Sequence, residues 1–442
     1  MRRTVRTLAA IGAALAGLGL TTLPAAAQGS ADGDRGEVIY TVERDDTLYG
    51  IADKYLVNDA AALELARHNR IRNPRRLPIA RTLRIPNALL RFAEVELEVD
   101  SFSGPVTLDG AVPTVGTRLR EGTLVRTGRN GFVTFGARQR FGGRISLPSN
   151  TSARLLRARR YVLGNRLDVD FQVTRGRATA TSPRLEGEDR LRMRTPLAVT
   201  AVRGTEFRIA YDPEAGDVSL TEVTEGNVAV AAGGEERAAP AGFGIASSAA
   251  GVSAPEALLP SPGFEDPGAI QTGEALEFTL EPVSGATGYR VQLARDASFL
   301  DVINEQLTGD VTARFDGLDN GRYFVRARAI SASGLEGLSD AYSFRRKRLG
   351  VAAEAGPAGD DDSYRFAWRG AGDGASSYAF QLWRDGEQAM MLVDEIGLST
   401  TAIALSNLSA GRYKWRVAIA QGDEEEGLLK VWGPAQVLVV TE

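Results

Sequence analysis

Val125-Arg-Thr-Gly-Arg-Asn-Gly-Phe-Val-Thr-Phe135 alternates apolar and polar residues on both sides of a Gly/Asn-rich break. A period of two sends successive side chains to opposite faces of a sheet, and the Gly and Asn bounds mark tight turns between strands. Leu167-Asp-Val-Asp-Phe-Gln-Val173 repeats the pattern. No segment of helical period interrupts residues 95–250, so this stretch predicts an all-β domain rich in Val, Thr, Arg and Gly.

C-terminal to it, residues 251–274 have the Ala, Pro, Gly and Ser content of a linker. Two similar halves follow, 275–347 and 350–442. Leu318-Asp-Asn-Gly-Arg-Tyr323 returns ninety positions later as Leu408-Ser-Ala-Gly-Arg-Tyr413, and Val325-Arg326 returns as Trp415-Arg416. Tyr289-Arg-Val-Gln-Leu293 matches Tyr378-Ala-Phe-Gln-Leu382, one residue out of register with that offset. A repeat of this length built from short strands predicts tandem β-sandwiches. Trp368, Trp383 and Trp415 are then core candidates, and Glu424-Glu425-Glu426 an exposed loop.

On the N-terminal side, residues 38–87 read strand, helix, helix, strand. Leu48, Ile51, Ala52 and Tyr55 fall on one helical face, with Asp45 or Asp46 placed to cap it. Asn58 or Asp59 can cap a second helix carrying Leu63, Leu65 and Ala66. Pro74 and Pro78 bracket a loop, and Thr82-Leu-Arg-Ile85 closes the unit as a strand. Before it, residues 28–37 form a polar leader. Residues 1–27 combine Arg2, Arg3 and Arg6, a short apolar run from Leu8 to Leu20 and Ala25-Ala-Ala27, the order of a cleaved secretory signal peptide. That run falls short of the ~20 residues of a membrane span, and no later stretch approaches it, so no transmembrane anchor is expected.

Composition removes several function classes. The formal net charge is −4, becoming −7 without the three signal-peptide arginines, a poor match to nucleic acid. With no cysteine there is no disulfide or thiolate nucleophile, and with one histidine, His68, no histidine-based zinc site. A Ser-His-Asp triad would have to draw His68 from the small module. A paired-carboxylate glycosidase would need a cleft-forming domain that the assigned stretches leave no room for. The expectation is a non-enzymatic protein with no cofactor and no metal.

Tyr40-Thr-Val42, Asp46-Thr-Leu-Tyr-Gly-Ile-Ala52, Leu65-Ala-Arg-His-Asn69 and Leu83-Arg-Ile-Pro86 together resemble the LysM family, which binds N-acetylglucosamine polymers such as peptidoglycan and chitin. Two positions depart from its pattern: Asp45 replaces a glycine before Asp-Thr-Leu, and Ala80 stands near a glycine before the last strand. The resemblance implies a glycan groove with Asp46, Thr47, Leu48 and Tyr49 on one wall and Asn73, Pro74, Arg75, Leu77 and Pro78 on the other.

Val115-Gly-Thr-Arg-Leu-Arg-Glu-Gly-Thr-Leu-Val-Arg-Thr-Gly128, Ala198-Val-Thr-Ala-Val-Arg-Gly-Thr-Glu-Phe207 and Glu222-Val-Thr-Glu-Gly-Asn-Val-Ala229 resemble the FecR domain, a periplasmic interaction domain. Gly204 there suggests a turn of positive φ. Arg154, Arg157, Arg159 and Arg160 form a local positive cluster, read as a solvated face or a site for anionic glycan or lipid. The Leu-x-x-Gly-x-Tyr repeats resemble fibronectin type III-like sandwiches, whose tyrosine bonds back to the backbone.

The whole reads as a multidomain, mainly β protein: a small α+β (βααβ) LysM-like module, an all-β FecR-like domain and two β-sandwich domains. Its expected role is a periplasmic scaffold or adaptor that holds peptidoglycan through the module and an unidentified envelope protein through the β domains. The alternative is a FecR-like part of a receptor-linked signalling system in which the LysM unit is structural.

Overall fold

A computed structural model of the protein describes residues 36–137, 142–182, 185, 187–202, 204–214, 216–359, 362–386, 391–425 and 427–441. The expected signal peptide and Arg203 lie outside these residues. The chain divides into two compact units, Met1–Phe92 and Ala93–Glu442.

In the first unit, β1 (Glu37–Thr41), α1 (Leu48–Tyr55), α2 (Ala60–His68) and β2 (Thr82–Pro86) follow in order. The two strands pair antiparallel from Glu37 opposite Pro86 to Thr41 opposite Thr82. Leu48, Ile51 and Ala52 of α1 pack inward with Ala61, Ala62, Leu65 and Ala66 of α2 and Leu83 and Ile85 of β2. Leu63, expected in this core, is 50% exposed, because the 3.6-residue period puts 61/62 and 65/66 on one face and 63 on another. Neither expected aspartate caps a helix. Thr47, immediately before α1, accepts from the Gly50 N–H at 3.0 Å, and Asn58 accepts from the Ala61 N–H at 3.0 Å. Asn69 ties the end of α2 to β2, accepting from the Arg84 N–H at 2.7 Å and donating to the Arg84 carbonyl at 2.8 Å.

The second unit begins with two antiparallel-rich sheets that share one long strand, Leu167–Thr181. Its first half pairs with Ser152–Tyr161, and its second half with Arg144–Leu147 and Glu206–Asp212. The crossing falls at Gly176, with φ +89°, where a Cβ would lie 2.6 Å from Thr151 Oγ1 and 2.7 Å from the Asn150 carbonyl oxygen. Only glycine fits that conformation and that approach. Leu167, Val169, Phe171 and Val173 enter the core as their alternation predicts. The two aspartates between them are also buried: Asp168 meets Arg157 at 3.0 Å and Arg192 at 2.6 Å, and Asp170 meets Arg194 at 2.6 Å. The same strand pairs in parallel with Arg190–Arg194, a crossover where alternation suggested only tight turns. The expected free arginine cluster is largely consumed here, since Arg157 is taken by Asp168, Arg159 pairs with Glu121 at 2.8 Å, and Arg160 donates to the Asn165 carbonyl at 2.9 Å.

The stretch read as a linker, 251–274, is partly built into both flanks. Gly251–Val252 and Glu256–Ala257 pair with Phe243–Ser248, and Ile270–Gln271 runs parallel to Ala341–Arg346. Beyond it, a five-stranded and a two-stranded sheet enclose Phe278, Phe315, Val325 and Phe344. A second pair of sheets encloses Phe366, Trp368, Phe380 and Trp415. Each sandwich carries the expected tyrosine bond: Tyr323 donates to the Asp319 carbonyl at 3.2 Å, and Tyr413 to the Ser409 carbonyl at 2.6 Å.

The repeat also fixes a cross-strand pair, Gln292 opposite Arg326 and Gln381 opposite Arg416, each arginine donating to the glutamine at 2.8 Å. The one-residue slip in the sequence repeat therefore lies in the intervening loop, and strand register is unchanged. Trp383 departs from expectation. It is half-exposed on the outer face beside Arg416, whose guanidinium sits 4.2 Å from the Trp432 ring. Glu424 and Glu425 are exposed as expected, while Glu426 lies outside the described residues; Glu425 meets Arg322 at 2.6 Å, and the adjoining Asp423 meets Arg345 at 2.8 Å, across the two sandwiches.

Buried charge joins the first sandwich to the preceding β region. Glu336 and Glu222 are both fully buried. Glu336 meets Arg290 at 2.6 Å, Arg177 at 3.1 Å and Arg328 at 3.3 Å. Glu222 accepts from Arg208 at 2.8 Å, from Arg177 at 3.2 Å and from the Glu336 backbone N–H at 2.8 Å. Arg208 also donates to the carbonyls of Glu336 and Gly337 at 2.6 and 2.8 Å. Phe132 packs with Ala294, Phe299 and Val302 alongside, and Ser101 and Thr134 donate to the Leu300 carbonyl. Burial alone would raise the Glu336 pKa. Arg177, Arg290, Arg328 and Arg208 together outweigh it and hold the carboxyl well below its usual range.

Replacing Glu336 by Ala strands three guanidinium groups in a dry site, and urea unfolding should show a loss of about 3–5 kcal/mol. Because its folded pKa is depressed, the stability this carboxylate contributes is present above the ordinary value near ~4 and is lost only as pH falls through the lower folded value. An acid titration of the parent should therefore place the loss attributable to Glu336 below the range of ordinary carboxylates.

Candidate functional site

The loop after β1 is shaped by Asp45 and Asp46. Asp45 adopts φ +68°, the left-handed region that Asp tolerates better than most residues. Asp46 turns back to accept from the Tyr40 hydroxyl at 2.7 Å and the Glu43 N–H at 2.8 Å. Burial, and then the hydrogen bond from the Tyr40 hydroxyl to the Asp46 carboxylate, push the Tyr40 phenol above its ordinary pKa. Asp46 is thus half-buried and occupied in shaping its loop, while Thr47 is exposed and Tyr49 is 47% exposed. The Leu48 side chain is in the core. Only its backbone faces the second loop, its N–H directed to the Pro74 carbonyl at 3.4 Å.

That contact brings together the two loops named by the sequence. In the second loop Asn73 anchors a turn, its side chain accepting from the Arg75 N–H at 3.1 Å and its carbonyl from the Arg76 N–H at 3.2 Å. Pro74 and Leu77 are half-buried, whereas Asn73, Arg75 and Pro78 are exposed. Ala80, with φ +63°, returns the chain to the first loop by donating to the Val42 carbonyl at 2.9 Å, and Val42 donates to the Arg81 carbonyl at 2.9 Å. The two positions where the sequence departs from the family pattern are both left-handed. The loop shape survives there without glycine, at the expense of strain at Ala80.

Sequence reasoning missed Ile79, 63% exposed between Pro78 and Ala80. A bulky apolar residue directly after Pro78, in the turn before the last strand, was the available signal. Thr47, Tyr49, Asn73 and Ile79 supply hydroxyl, amide and apolar surface on the two loops, the mixture that an acetamido sugar requires. His68 stands apart from this surface, its Nε2 2.6 Å from Glu37. Arg67, Arg70, Arg72, Arg75 and Arg76 are exposed, and none is paired to a carboxylate among the described residues. No group of three or more potential metal ligands occurs among the described residues.

Residues 40–86 match the family model of the LysM domain, and residues 124–229 match that of the FecR protein. The LysM match covers the βααβ unit from Tyr40 in β1 to the end of β2, and the FecR match falls within the two sheets that share a strand. Both families are binding or regulatory types typical of the cell envelope. Among solved structures, one from Parabacteroides distasonis described as an anti-sigma factor is 16% identical, with 28% of this chain and 53% of that chain covered and a TM-score of 0.23. The chain thus spans about half of that protein's length. A two-domain fibronectin type III segment of chicken tenascin is 16% identical over 41% of this chain and 99% of that one, with a TM-score of 0.19. Fibronectin(III)-like modules of Clostridium thermocellum CbhA are 11% identical over 39% and 90%, also with a TM-score of 0.19. No curated protein matches the chain. No helix among the described residues is long and apolar enough to cross a membrane.

Ala80→Gly should relieve the left-handed strain and stabilise the LysM module by about 1 kcal/mol. Hydrogen exchange of the β1 and β2 amides in the intact protein would show it as roughly fivefold slower opening.

Proposed function

We propose that the protein is a non-enzymatic periplasmic adaptor, exported by a cleaved signal peptide, whose LysM module holds peptidoglycan. The observation that carries this reading is the preserved pair of loops, closed by the Leu48–Pro74 backbone contact and by left-handed turns at Asp45 and Ala80. Thr47 and Asn73 are the polar contacts of the groove, Tyr49 and Ile79 its apolar surface, and Asp46, Leu48, Pro74, Leu77 and Pro78 shape it. Arg75 and its neighbours give the second wall a positive charge suited to the carboxylates of peptide stems. A single shallow module binds weakly, so retention depends on polymer length.

The β domains, divided as 95–250, 275–347 and 350–442, dock an envelope protein. The FecR match also supports a second reading, in which this part reports the state of a receptor and the LysM module is structural.

Sedimentation of residues 28–442 with purified insoluble peptidoglycan tests the tether. A folded Thr47→Ala, Tyr49→Ala, Asn73→Ala variant should stay in the supernatant. Binding by the parent should weaken severalfold between 50 and 300 mM salt, on the order expected for partly screened charge. A parent protein that fails to sediment at low salt would overturn the tether and leave the signalling reading.

A further inference from the structure

The charges at the joint between the FecR-like region and the first sandwich do not balance. Arg177, Arg208, Arg290, Arg326 and Arg328 converge there. Two fully buried carboxylates, Glu222 and Glu336, answer them, together with Glu305, a half-buried residue whose side chain is 6% exposed and lies 3.2 Å from Arg290. Glu206, half-buried, is the next carboxylate whose field reaches Arg326. With it counted, five positive groups face four negative ones. A net charge held away from water is strongly unfavourable unless something neutralises it.

The surplus can be localised. Arg326 donates through Nε and Nη2 to a neutral partner, Gln292 Oε1, and lies 4.1 Å from the Phe299 ring, with no carboxylate in contact among the described residues. Arg328 spends Nη1 on Glu336, but its buried Nε–H has no partner. Burial, and then the neighbouring arginines, push both guanidinium groups down, Arg328 to about 10 and Arg326 well below its ordinary value. These two residues, with Arg177, Arg208 and Arg290, line a cavity of about 40 Å³ whose remaining walls include Phe132, Phe299 and Val302. That volume admits one or a few species of the size of water. A polyatomic anion such as sulfate or phosphate would not fit, whereas a halide has nearly the dimensions of a water molecule.

We propose that this cavity binds one small monovalent anion of halide size, which completes the neutralisation of the joint and locks the FecR-like region to the first sandwich. Arg328, whose buried Nε–H is otherwise unpartnered, and Arg326 hold the anion, and the apolar walls of Phe132, Phe299 and Val302 limit competing solvent. Chloride thereby becomes a structural component of the interface, and rigidity of the joint follows its concentration.

The test uses the intact mature protein with chloride and bromide as probes. Thermal unfolding is followed in sodium chloride and in sodium gluconate at equal ionic strength, for the parent and for Arg328→Gln, in which charges balance without an anion. Chloride should raise the midpoint of the parent by at least about 2 °C over gluconate, and the difference should vanish in the variant. Crystals grown in bromide should show one anomalous peak beside Arg328. The bromide experiment needs only the parent, so it decides the matter even if the variant folds poorly. Equal midpoints of the parent in the two salts, or a cavity holding only water in bromide crystals, would overturn the proposal.

Discussion

The second unit depends on a single arrangement: two carboxylates, Glu222 from one β region and Glu336 from the next, buried among arginines drawn from both sides. Hydrophobic contact at this joint is modest, a small cluster around Phe132 and Phe299. Apolar contact alone would tolerate sliding, because it is non-directional. The ion pairs are directional and intolerant of misplacement, since a displaced carboxylate would leave several guanidinium groups unsatisfied in a dry site. They act as a key that permits one docking geometry, and they explain why the stretch 251–274 is drawn into pairing with both neighbours instead of remaining a tether.

The two sandwiches show what such docking does to a repeated sequence. Both keep the cross-strand Gln–Arg pair and the tyrosine bond to the backbone. On the first, the face bearing Arg326 is covered by the FecR-like region, and the strand positions beside it carry Arg290 and Arg328. The corresponding positions of the second carry Ala379 and Ala418, and Trp383, Arg416 and Trp432 lie across that face in their place. A guanidinium between indole rings keeps a polar edge toward water while shielding small apolar residues beneath it. One face meets a partner within the chain, and its twin meets solvent.

Much of this was legible in sequence because local chemistry determined it. The alternation in Leu167–Val173 gave the core face correctly, and the Leu-x-x-Gly-x-Tyr repeats gave both tyrosine bonds. The βααβ order of the LysM module follows from two short helical stripes between strands. The cap of α1 was misplaced by one residue or two, and that of α2 was left between Asn58, which makes it, and Asp59, because Asp46, Thr47, Asn58 and Asp59 are all competent cap residues and only the tertiary course of the loop chooses among them. The buried roles of Asp168, Asp170, Glu222 and Glu336 were not legible at all. A polar residue in an alternating strand reads as solvent-facing, and the arginines that pair with these carboxylates lie from 8 positions away (Arg328 to Glu336) to 159 (Arg177 to Glu336) along the chain. In the two loops of the LysM module, sequence alone could not separate Leu48, whose side chain enters the core, from Tyr49, which faces outward.

The strand Leu167–Thr181 has one more consequence, a mechanical one. Because a single continuous segment belongs to both sheets of the FecR-like region, tension along it is resisted in shear by hydrogen-bond ladders on either side of Gly176. Neither sheet can be peeled away without dragging on the other. A protein that spans between a wall polymer and another envelope component would be pulled whenever the two move apart, and this shared strand gives the middle of the chain the stiffness of a spliced rope in place of two knotted ones.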